Sequence, residues 1–101
     1  EMSWKKNRIN VAIQVLPEGD GKVNYNLVDG AIEAIQKSGF AYRVCPFETV
    51  VECSFEEFPG LMETIHQACR DAGTERMITN LKVQVDFEQD VTINDKMEKY
   101  D

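Results

Sequence analysis

Few side chains in this 101-residue chain could do chemistry, and the one that stands out is Glu52. It sits in Thr49-Val50-Val51-Glu52-Cys53-Ser54, where a carboxylate among β-branched neighbours is a poor strand former and costly to bury unpaired. It therefore faces water or meets a cation or a hydrogen-bond donor. A cross-strand pair with Lys82 or Arg43 would contribute about 0.2–1 kcal/mol. Asn80, between Thr79 and Leu81, is the second oddity, because Asn is depleted in strands. Thr49 is a good strand former and by itself needs no ligand to explain it. His66 and Cys69 stand three apart on one helix face, a spacing compatible with a metal, but no second pair of ligands accompanies them and no metal site is expected. Cys69 falls on an apolar stripe, which suits a buried thiol better than a nucleophile served by His66.

The elements that must carry these residues follow from periodicity. Arg8 to Leu16 alternates, with Ile9, Val11, Ile13 and Val15 on one face and Asn10, Ala12, Gln14 and Leu16 on the other. That mixed second face suggests a sheet whose open side is partly covered by a partner or a ligand. Pro17 and Gly19-Asp20-Gly21 are expected to end the strand in a flexible loop. From Tyr25 to Ser38 the period is helical, with Asn24 as N-cap and Gly39 as the left-handed C-terminal residue. Tyr42 to Ser54 reads as two short strands folded over Pro46-Phe47-Glu48. Ser54 and Glu57 form a capping box for a second helix, about Phe55 to Ala72, whose start Pro59 should make irregular. Arg76 to Asp86 alternates again, and Thr92 with Asp95 opens a short closing helix to about Tyr100.

Strand, helix, strand, strand, helix, strand and a C-terminal helix is an α+β, ferredoxin-like βαββαβ plan. Right-handed crossovers put both long helices on one face of a four-stranded antiparallel sheet. The open face then collects Gln14, Arg43, Cys45, Val50, Glu52, Asn80, Lys82 and Gln84, a rigid set of donors and acceptors suited to small-molecule recognition. Residues 1–7 are read as an N-terminal extension and 8–101 as one domain.

Composition bounds the function. Eleven basic against eighteen acidic residues give a net charge of −7. That balance argues against broad contact with nucleic acid or with anionic membranes. No apolar run approaches the roughly 20 residues of a spanning helix, and no signal peptide is visible. Three cysteines without framework spacing suggest reduced thiols in a cytoplasm. The loop Pro17 to Lys22 is acidic and lacks the Arg that a small ferredoxin-like phosphatase would use, so no enzyme is expected.

Several ordered stretches carry a resemblance. Ile13-Gln14-Val15-Leu16-Pro17, Val28 to Ile35, Ser38 to Pro46, Thr49-Val50-Val51-Glu52, Ile78 to Val83 and Thr92 to Met97 together resemble the thiamine-binding, YkoF-like family, over Arg8 to Tyr100. Family members often carry Gly where this chain has Glu48 and Cys53. The resemblance implies a ferredoxin-like subunit assembling as a homodimer or homotetramer. It also implies binding of thiamine or its hydroxymethylpyrimidine part, with no further cofactor and no catalysis. An aminopyrimidine offers an exocyclic amine beside a ring nitrogen, which a carboxylate can pair. On that reading Glu52 takes the ring edge, while Gln14, Thr49 and Asn80 supply further hydrogen bonds and Phe47 a wall. The alternative is a ligand-free regulatory or assembly module that self-associates through its sheets.

Overall fold

The computed structural model describes residues 3–101. Glu1 and Met2, the start of the expected extension, lie outside the described residues. The elements are β1 (Arg8–Gly19), β2 (Lys22–Val23), α1 (Val28–Lys37), β3 (Ala41–Val44), β4 (Thr49–Ser54), α2 (Phe58–Asp71), β5 (Arg76–Gln84) and α3 (Ile93–Met97). The antiparallel sheet runs β3-β4-β1-β5, with β2 adding a short hairpin to the far end of β1. This is the ferredoxin-like arrangement expected.

Core packing follows the alternation of β1. Ile9, Val11, Ile13 and Val15 face the helices with Val51 and Cys53 of β4, and meet Ala31 and Ile35 of α1 and Leu61, Ile65 and Cys69 of α2. α1 and α2 pack against each other at Gly30, where a Cβ would make only ordinary contact, 3.5 Å from the Ala68 carbonyl oxygen. The capping box holds: Glu57 N donates to Ser54 Oγ at 3.1 Å and Ser54 N to Glu57 Oε1 at 2.9 Å. Gly39 and Gly73, both at positive φ, end the two long helices.

Two expectations are corrected. Pro17 does not stop β1, which continues to Gly19 beside β5 through Pro17↔Met77 and Glu18↔Arg76. The Pro17 carbonyl accepts from Asn24 N on the β2 side. Its missing donor therefore faces that side, and the ladder to β5 is undisturbed. The Gly19-Asp20-Gly21 loop is in fact a two-residue hairpin turn: Gly19 pairs with Lys22, and Asp20 and Gly21 have φ of 56° and 76°. Asp-Gly is the dipeptide such a turn favours.

The N-terminal turn, Trp4–Lys6, packs on the body. The Trp4 ring lies 5.1 Å from both Phe55 and Phe87, and Lys5 O accepts from Glu56 N at 3.3 Å. The C-terminal segment from Asp90 onward crosses the face of the sheet opposite the helices, hydrogen-bonded to β1 and β4.

Candidate functional site

Strand register decides which of the four sequence-predicted residues meet. Asn10 lies opposite Glu52 on one side and Gln84 on the other, and Gln14 lies opposite Asn80. Glu52, Gln14 and Asn80 thus share the outer face. Thr49 pairs with Ile13, so it points the other way, toward the helices. The expectation that all four converge on one ring is corrected by the pleat itself: residues three apart on a strand take opposite faces.

Three separate hollows result. The first lies between α1 and the β3–β4 hairpin and has a volume of about 400 Å³. Ile13 and Val15 of β1, Val28, Ala31, Ile32 and Ile35 of α1, and the loop from Val44 to Thr49 line it. Thr49 is 6% exposed and is the buried polar side chain of this recess. A hydroxyl on such a wall can hydrogen-bond a molecule that enters the recess. The hairpin loop at the mouth is closed by Cys45 N donating to Glu48 O at 2.9 Å, leaving Phe47 projecting into solvent.

The second hollow, about 590 Å³, lies beneath the C-terminal segment and includes Arg8, Arg43 and Glu52. Glu52 is 8% exposed, but both its oxygens are engaged. Oε1 accepts from the backbone N of Ile93 at 2.8 Å, and Oε2 from Arg8 Nη1 at 3.0 Å. The cation is neither of the two expected. Lys82 pairs with Glu48 at 2.9 Å, and Arg43 with Asp101, whose carboxylate raises the guanidinium pKa. Arg8 wins because it sits at the end of β1, opposite Ser54 and two positions from Asn10.

The third hollow, about 270 Å³, is on the outer face between the hairpin loop and β5, lined by Gln14, Asn80, Lys82, Phe47 and Glu48 among others. Asn80 Nδ2 donates to Gln14 Oε1 at 3.1 Å, so two of the four residues do come together. Gln14, Phe47 and Glu48 line the first hollow as well, so the hairpin loop stands between the two.

Sequence reasoning missed Asn10. It is 4% exposed; its Nδ2 donates to Val91 O at 3.0 Å, while its Oδ1 is buried without a partner. The signal that singled out Asn80, an Asn inside a strand, was equally present at Asn10. His66 has a structural role: its Nδ1 lies 2.7 Å from Met62 O and its Nε2 2.8 Å from Thr79 Oγ1, tying α2 to β5. Burial pushes the Cys53 thiol up to about 11 and also raises that of Cys69, so neither is a ready nucleophile. Among the described residues no three potential ligands gather as a metal site. No helix there is long and apolar enough to cross a membrane.

Comparison with known proteins agrees with this architecture. Residues 11–101 match the family model described as thiamine-binding protein. A UPF0045 protein of Clostridium perfringens is 30% identical over 92 residues, covering 90% of this chain and 95% of the relative. A Bacillus cereus domain of unknown function superposes with a TM-score of 0.84 at 35% identity, covering 94% of this chain and 91% of that one. A candidate thiamine biosynthesis/salvage protein from Thermotoga maritima gives a TM-score of 0.79 at 29% identity, covering 93% and 99%.

Proposed function

The chain belongs to the thiamine-binding protein family, and from that premise we propose that it binds thiamine or its hydroxymethylpyrimidine part in the recess between α1 and the β3–β4 hairpin. The observation that carries the reading is the recess itself, about 400 Å³ with largely aliphatic walls, on which Thr49 is a buried polar side chain. A flat aminopyrimidine suits the aliphatic walls, and its ring nitrogen or amine suits one hydroxyl. Gln14 and Glu48 stand at the mouth, Asn80 orients Gln14, and Phe47 is free to close over the ligand. The fixed positive charge of the thiazolium is drawn to a chain of net charge −7. Glu52, with both oxygens engaged, acts by holding the C-terminal segment. The role is binding without turnover, as a cytoplasmic, homo-oligomeric carrier, buffer or sensor.

Isothermal titration with thiamine and, separately, hydroxymethylpyrimidine tests this. Saturable binding is expected, and Thr49→Val should weaken it about 2- to 13-fold, the equivalent of one net hydrogen bond of about 0.5–1.5 kcal/mol. Flat titrations of folded protein would refute the ligand. Binding unchanged in Thr49→Val but abolished in a folded Glu52→Ala would move the site to the hollow under the C-terminal segment. The second reading, an assembly module, draws support from one feature, the long exposed edge of β5.

A further inference from the structure

The hairpin loop between the first and third hollows carries one carboxylate that borders both. Among the described residues that line the recess, Glu48 alone is charged, and the rest are apolar apart from Gln14, Cys45 and Thr49. Its side chain is 26% exposed and also lines the third hollow. Lys82 Nζ of β5, on a side chain 77% exposed, stands 2.9 Å from Glu48 Oε1. Lys82 lines the third hollow and not the recess, so the ion pair draws the carboxylate toward the β5 side of the loop. The backbone here is fixed by Cys45 N donating to Glu48 O at 2.9 Å. Rotation of the side chain is therefore enough to turn the carboxylate from one hollow to the other. Phe47, the neighbouring residue, borders both hollows as well and is 81% exposed. An exposed ion pair is weak, and an ammonium is strongly hydrated, so Lys82 is a readily displaced partner.

We propose that Glu48 is the counter-ion for a fixed positive charge on the ligand and that Lys82 holds its place until the ligand arrives, so that the recess favours thiamine over its uncharged hydroxymethylpyrimidine part. This rests on the recess being the ligand site and narrows the ligand to a cation. The flat pyrimidine enters between the aliphatic walls, and the thiazolium stays at the mouth, where the Glu48 carboxylate and the face of Phe47 meet it. When the ligand leaves, Lys82 takes the carboxylate back, and no unpaired charge is left beside an apolar wall. Ligand and lysine thus compete for one carboxylate. The sign of the effect follows: removing Lys82 should help the cation bind. A lysine that merely tied the loop to β5 would act the other way, since cutting the tie would loosen the mouth and weaken charged and uncharged ligands alike.

Isothermal titration of thiamine and of hydroxymethylpyrimidine into the wild type and three variants tests this. Glu48→Gln should weaken thiamine about five-fold or more and leave hydroxymethylpyrimidine within about two-fold. Lys82→Met should tighten thiamine about two- to five-fold and leave hydroxymethylpyrimidine unmoved. Lys37→Met is the control, because it removes the same charge from an exposed pair outside the recess, with Glu33 at 2.7 Å, and should shift thiamine less than Lys82→Met does. Equal weakening of the two ligands by Glu48→Gln, or a Lys82→Met protein that binds thiamine no more tightly than the Lys37→Met control, would overturn the counter-ion and leave the recess standing as the site. A wild type that binds neither ligand would remove both.

Discussion

Thr49 and Glu52 are three residues apart on β4, almost equally buried, and opposite in what surrounds them. Glu52 faces the outer side of the sheet, where Arg8 and the backbone of Ile93 take both oxygens. Thr49 faces the helix side, on the wall of the recess. The difference separates two uses of a buried polar group. One whose bonds are complete within the chain holds the fold together; one on the wall of a cavity is within reach of whatever enters it. By side-chain type alone Glu52 was the more conspicuous candidate. By environment Thr49 is the better one.

The largest effect that would break this comparison is on Glu52. Glu52→Ala leaves the Ile93 amide unpaired and releases Arg8, and should destabilise the fold by about 1–3 kcal/mol, the cost of an unsatisfied buried group. Urea denaturation measures it, and proteolysis should find the segment after Asp90 loosened. Full stability in that variant would show that the carboxylate is not structural.

Cys53, next along β4, gives an intermediate test. Its thiol titrates near 9.0 when unfolded and about 11 when folded, a pKa raised first by burial and then by the charge of Glu57. Between those values the unfolded chain has lost the proton and the folded chain has kept it, so stability falls as pH rises from about 9 to 11. Below pH 9 the contribution is fully present. Cys53→Ala should flatten that alkaline decline in a pH series of denaturation curves. An unchanged slope would mean that the thiol is reached by solvent.

Thr49→Val should give the smallest stability effect, within about 0.5 kcal/mol of wild type, because the two side chains have nearly the same shape and the recess walls are largely aliphatic. A destabilisation as large as that of Glu52→Ala would mean that the hydroxyl has a structural partner, and the contrast between the two residues would collapse.

Much of the fold was legible in the residues. The alternation of Ile9 to Val15, the Ser54–Glu57 box, Gly39 and Gly73 act within a few positions of the chain, and local rules capture them. Pro17 misled because a proline stops a strand only if its missing donor faces a partner, and neighbours distant in sequence decide that. Gln14 with Asn80 was anticipated as a pair on one face; the Arg8–Glu52 pair was not, since Lys82 and Arg43 looked equally able to reach.

What the sequence by itself determined was the plan: which segments are strands and helices, which side of each is apolar, and that the chain is acidic with few reactive groups. Those follow from periodicity and composition, which are properties of neighbouring residues. The tertiary structure decided which polar residues meet. The C-terminal segment returns across the sheet to occupy Glu52, while α1 spans the hairpin end without filling it and leaves Thr49 facing a cavity. Both outcomes depend on contacts between segments about 14 to 41 residues apart, where long-range packing, not local pattern, sets what each group faces.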